Sequence, residues 1–153
     1  MALTSTILLD LIGQTQTLTY FQGASQVDQI TFSSNSVTFA SSAAFNLSKS
    51  DCSLYQSLLQ TYITALILNF PNSYKSVSSA WPLCNFQTSI TSQGVTHINY
   101  VQTSLGNSVY SINYVPIAAS AGFAIRSQIT ITLQEFFMMQ PILAAYFNQV
   151  GLN

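Results

Sequence analysis

THINYVQTSLGNSVYSINYV, residues 96–115, decides the fold class. His97, Asn99 and Val101 alternate with Ile98 and Tyr100, and Tyr110 and Tyr114 share one face of a second run. A period of two places successive side chains on opposite faces of a strand. Leu105-Gly106-Asn107 stands between residues 96–103 and 108–115 as a glycine-bearing turn of hairpin length, so the two runs pair antiparallel.

The same alternation extends outward. Phe123, Ile125, Ile129, Ile131 and Leu133 point one way, and Ala124, Arg126, Gln128, Thr130, Thr132 and Gln134 the other, which predicts one long strand buried on one face. Ile30-Thr31-Phe32 and Val37-Thr38-Phe39 flank residues 33–36 as a second hairpin, and residues 4–11, 16–21 and 83–90 read as further strands. One segment breaks the pattern. In residues 53–70, Leu54, Tyr55, Leu58, Leu59, Tyr62, Ile63, Leu66, Ile67 and Phe70 recur at helical spacing, opposite Ser53, Gln56, Ser57, Gln60, Thr61 and Thr64. Ser50 is the expected N-cap, Asp51 suits the positive end of the helix dipole, and Pro71 stops the helix. Pro141 fits the first turn of a short terminal helix through Val150, closed by Gly151.

Seven or eight strands, a long helix inserted midway and a short C-terminal helix predict a single mainly β domain over residues 1–153. The expected form is an antiparallel β-sandwich or jelly-roll-like domain, with an open α+β antiparallel sheet as the alternative. Each half, near residues 1–70 and 77–153, runs strands and then a helix, although no matching residues stand out.

Only 3 Lys and Arg and 4 Asp and Glu occur in 153 residues, while Ser, Thr, Asn and Gln number 61 together. Lys49, Lys75 and Arg126 are too few and too scattered to neutralise a run of phosphates, so direct nucleic-acid binding is not expected. The apolar and aromatic content argues against disorder. Residues 1–12 are apolar but lack a basic start, contain Asp10 and offer no small-residue cleavage pattern, so they do not read as a secretory signal. The longest strongly apolar stretch, residues 65–68, is far short of a transmembrane segment.

Residues able to carry chemistry are sparse. His97 is the single histidine, reads as an ordinary strand-face residue, and no G-x-S-x-G nucleophile motif accompanies it. Asp10, Asp28, Asp51 and Glu135 offer a glycosidase-type pair only if folding brings two of them face to face, and Asp51 already has a place at a helix start. No catalytic set, metal-ligand spacing or cofactor motif is present, so neither an enzyme nor a metal or cofactor site is expected. Cys52 and Cys84 read either as a disulfide between helix start and sheet or as two buried free thiols; the dipole at the helix start would lower the thiol pKa of Cys52. Asn46-Leu47-Ser48 is the single N-x-S/T sequon, either a glycosylation site or a chance match. Tyr100, Tyr110 and Tyr114 read as core or interface aromatics, with stacking on sugar rings as the alternative.

Neutral polar groups do not titrate, so a fold resting on them and on apolar burial should change little between neutral and strongly acidic pH. Near-zero net charge and abundant strands favour association. In composition the chain is similar to coat and surface-filament subunits of viruses and archaea from hot, acidic habitats, which are rich in Ser, Thr, Asn, Gln, Tyr and Ile. That resemblance implies a structural subunit of a virion or extracellular surface, present in many copies as a homo-oligomer, in company with other coat or surface proteins. A virion coat (capsid) protein is the first expectation. The alternatives are an archaeal surface filament in which residues 1–21 serve as an assembly strand or arm, and a carbohydrate-binding β-sandwich module using Tyr110 and Tyr114.

Overall fold

The computed structural model describes residues 3–34, 36–40, 44–76, 85–90, 96–102, 107–125 and 129–151. The fold is mainly β, with two antiparallel sheets, a long helix midway and a helix at the C-terminus. In the first sheet β1 (Leu3–Asp10), β2 (Thr15–Gln22), β3 (Ser25–Ser33) and β4 (Ser36–Phe39) form a meander, and β10 (Ile129–Thr132) adds to the edge of β4. In the second, β6 (Asn85–Ile90), β7 (Thr96–Gln102), β8 (Asn107–Val115) and β9 (Ser120–Ile125) form a meander, and β5 (Phe45–Ser48) adds to the edge of β9. Helices α1 (Lys49–Asn69) and α2 (Pro71–Ser76) follow β5, and α3 (Leu133–Val150) follows β10.

Each half of the chain therefore builds a four-strand meander, sends a fifth strand to the other half's sheet, and continues into a helix. The correspondence reaches individual residues. Ile129 pairs with Phe39 and Thr132 with Ser36, while Phe45 pairs with Phe123 and Ser48 with Ser120. Every residue of the second half in those pairs lies 84 positions after its counterpart in the first. The register shift between Tyr20 and Phe21 recurs between Tyr100 and Val101. Cys52, Tyr55, Leu59, Tyr62 and Ile63 of α1 are buried, and so are their counterparts Phe136, Met139, Leu143, Tyr146 and Phe147 of α3. The halves match in pattern and scarcely in identity, which hides the repeat from inspection of the sequence.

Both hairpins, at residues 30–39 and 96–115, form as the alternation requires. Ten strands are present among the described residues, β5 being the one that no periodicity announced. The long helix starts earlier than its apolar spacing suggested. Ser48, not Ser50, is the N-cap, its hydroxyl accepting from the Asp51 N–H at 3.3 Å. Pro71 does end α1, and it then opens α2 at a first position that needs no backbone donor.

The largest departure is the strand expected through residues 123–134. It is two strands in different sheets, β9 ending at Ile125 in the second and β10 running from Ile129 to Thr132 in the first, and α3 starts at Leu133. Thr132 and Glu135 form a reciprocal capping box: the Glu135 N–H donates to Thr132 Oγ1 at 3.1 Å, and Glu135 Oε1 accepts from the Thr132 N–H at 3.0 Å. Two orphan donors are satisfied at once, which outweighs the strand pattern running into Leu133. Pro141 consequently lies inside an 18-residue helix rather than at the start of a short one. Thr132→Ala removes both bonds of the hydroxyl to Glu135, from its N–H and to its Oε1, and should cost about 1 kcal/mol, read as a lower urea midpoint at unchanged m-value.

The core gathers the inner faces of both sheets and the buried stripes of α1 and α3. Uncharged polar groups cross-link several of these elements. Gln16 is fully buried; its Nε2 donates to the Tyr62 carbonyl at 3.2 Å, its Oε1 accepts from Asn69 Nδ2 at 3.1 Å, and its carbonyl accepts from the Tyr62 hydroxyl at 2.8 Å. Thr38 and Thr130 hydroxyls bond at 2.8 Å across the exchanged strand, and Gln140 Nε2 donates to Gln60 Oε1 at 3.1 Å between α3 and α1.

Candidate functional site

The surface feature that stands out is the free edge of the first sheet. Among the described residues β1 pairs only with β2, so one side of its backbone has no strand partner there. Leu3 is buried, but Ile7 (40% exposed), Leu8 (72%) and Leu9 (39%) on the strand and Leu11 (62%) and Ile12 (99%) in the turn beyond it are open to solvent. Leu3, Ser5, Ile7 and Leu9 face inward with the buried Leu18 and Tyr20 of β2, and Thr4, Thr6 and Leu8 face outward. The turn itself is tightly built. Asp10 Oδ1 accepts from the Gly13 N–H at 2.9 Å, and a Cβ on Gly13 would fall 2.5 Å from Asp10 Oδ2, so a larger residue there would displace the Asp10 carboxylate.

Within the stretch 1–21, residues 3–10 and 15–21 belong to the first sheet. β1 and β2 form a hairpin within the first sheet, and β2 carries core residues that cannot leave it, so only β1 has a free side.

A second cluster lies at the centre of the molecule. Asp28 on β3 is fully buried, with Oδ1 accepting from the Gln29 N–H at 2.9 Å and Oδ2 from the Tyr55 hydroxyl at 3.3 Å. The Tyr55 and Tyr110 hydroxyls are hydrogen-bonded to each other. Tyr20 stacks on Tyr55 with ring centroids 4.4 Å apart and donates its hydroxyl to the Tyr55 carbonyl at 3.0 Å. Burial raises the Asp28 carboxyl to about 7, against the opposing pull of the Gln29 N–H and the Tyr55 hydroxyl. Burial likewise lifts the phenols of Tyr20, Tyr55 and Tyr110 well above their ordinary value, so all three stay neutral donors.

The four carboxylates do not converge. Asp10 holds a turn, Asp51 and Glu135 sit at helix starts, and Asp28 is enclosed among tyrosines. Among the described residues, no three His, Cys, Asp or Glu side chains are grouped to hold a metal ion. His97 lies on β7 opposite Ser89, and its side chain is outside the described ones.

Tyr110 and Tyr114 are buried, at 2% and 8% exposure, and Tyr110 packs edge-on against Phe39 and Phe123. Both stand in the hydrophobic core; Tyr100 of β7 pairs with Tyr110 of β8, its side chain outside the described ones. Cys52 is a free, buried thiol whose Sγ lies 3.9 Å from the Leu47 carbonyl, and Cys84 falls outside the described residues. Burial, with help from Asp51, pushes the Cys52 thiol up to about 12, overriding the lowering expected from the helix start. Asn46 is exposed on the edge strand β5, its carbonyl accepting from Gln22 Nε2 at 2.9 Å.

Compared with family models, curated proteins and solved structures, the chain matches none. No helix among the described residues is long and apolar enough to cross a membrane.

Proposed function

We propose that the chain is a non-enzymatic structural subunit of an extracellular assembly, a virion coat (capsid) protein suited to acid or heat. The exposed aliphatic edge of β1 carries this reading. Five large aliphatic side chains on one strand and its turn, beside an unpaired backbone edge, are a liability for a solitary protein and an asset for a repeated subunit. Few charges are available to keep copies apart, because only 5% of residues are charged. The neutral Thr and Gln cross-links fit the same use, since they keep their geometry as pH changes. With so few cations, such a subunit belongs in a protein-only or outer layer rather than against a genome.

Electron microscopy and sedimentation of the purified chain test this. Closed shells or sheets of repeating subunits are the expected result, and threads would move the reading to a surface filament. A chain that stays strictly monomeric at every concentration tried would overturn both.

A further inference from the structure

We propose that β1 docks against β1 of a second copy, antiparallel and centred on Leu8, a step that rests on the self-assembly proposed above. Past Leu3, whose N–H donates to Asp51 Oδ1 at 3.4 Å, the edge of β1 calls for a partner with an equally bare backbone and an apolar surface, and β1 itself meets both needs.

Charge fixes the direction. Asp10 is the only charged residue of β1, at its C-terminal end. A parallel, in-register pair would set two Asp10 residues side by side, whereas an antiparallel pair carries them to opposite ends. Burial fixes the register. With Leu8 opposite Leu8, Ile7 of each copy faces Leu9 of the other, and Asp10 falls opposite the neutral Thr6. Ile7 and Leu9 then cover each other on the inward face, and the two Leu8 side chains meet on the outward face. A shift to Ile7 opposite Ile7 would instead set Leu8 against Thr6 and Leu9 against Ser5, leaving less apolar surface covered. The contact is isologous, so it closes as a pair and joins two five-stranded sheets into one of ten strands. Such a pair is a building block, and further assembly uses other surfaces.

Charge exchange at the central position tests it. Leu8 is largely exposed, so Leu8→Lys and Leu8→Glu should fold as the unsubstituted chain does, which circular dichroism and melting will verify. Each variant alone places like charges directly opposite and should lose the dimer in sedimentation at concentrations where the unsubstituted chain is dimeric. Mixing the two variants in equal amounts should restore it, because Lys then faces Glu. Thr6→Lys, which sets an amine opposite Asp10 of the other copy, should leave the dimer intact. Dimers that persist in either Leu8 variant, or two dissociated variants that mixing does not rescue, would overturn the pairing while leaving assembly through another surface standing. An unsubstituted chain that never associates would overturn the proposed assembly itself.

Discussion

Lowering the pH from 8 to 4 should raise the melting temperature of this protein, by on the order of 10 °C. The cause is Asp28. Its carboxyl titrates near 7 in the folded state, against an ordinary value of 3.8, because burial penalises the charged form more than the Gln29 N–H and the Tyr55 hydroxyl favour it. A folded-state value raised above the unfolded one means that the native protein takes up a proton the unfolded chain does not. Stability therefore increases as pH falls through 7 and levels off below about 4, where both states are protonated. The full span corresponds to about 4 kcal/mol. Above pH 7 the folded protein carries a buried charge, and the cost is largest.

Asp28→Asn keeps the volume and removes the titration; its oxygen still accepts from the Gln29 N–H, and its NH2 takes the place of the protonated carboxyl as a donor toward the Tyr55 hydroxyl oxygen. The variant should be more stable than the parent at pH 8 and should lose most of the rise on acidification. A parent chain that melts earlier at pH 4 than at pH 8, or an Asn variant with the parent's pH profile, would show that another group governs the response. The neutral polar composition pointed to indifference toward pH; the buried carboxyl makes the expected response a gain in acid.

That refinement marks the limit of what the sequence could disclose. The alternation at residues 30–39 and 96–115 and the helical spacing in residues 53–70 report burial on one face of a local element, and those elements form as expected. Local periodicity says nothing about which edge a strand joins. β5 is four residues long, too short for its alternation to stand out, and it is placed by pairing with a strand more than seventy positions away. The turn from β10 into α3 was legible in principle, since Thr132 and Glu135 have capping-box spacing, but the apolar alternation running into Leu133 masked it. Asp28 stood out in no way from the other three carboxylates because nothing local marks the three tyrosines that enclose it. They come from β2, α1 and β8, and only the folded chain brings them to β3. The aliphatic run Ile7, Leu8, Leu9, Leu11 and Ile12 shows the converse: apolar residues in sequence normally imply burial, and here an edge position leaves them outside.

Phe123→Ala should be among the most damaging single substitutions, at about 3–5 kcal/mol. The ring is 1% exposed and lies where the halves interlock. It stacks on Phe45 of the exchanged strand β5 at 5.2 Å and meets Tyr55 of α1 at 5.1 Å, both from the first half. It also meets Tyr110 and Phe147, from its own half, at 6.4 Å each. Removing it opens a cavity bordered by four aromatic rings that are themselves held by strands and helices and so cannot collapse into the space. Phe39, its counterpart in the first half, packs against Tyr110 and Phe136 and should show a comparable loss. The form of the transition is as informative as its midpoint. Each sheet contains a strand from the other half, so neither half can unfold while the other keeps a complete sheet. Heat or urea should therefore melt Phe123→Ala in one step at a lower midpoint, with the halves still coupled through β5 and β10. Two resolved transitions would mean that the exchanged strands do not bind the halves into one cooperative unit.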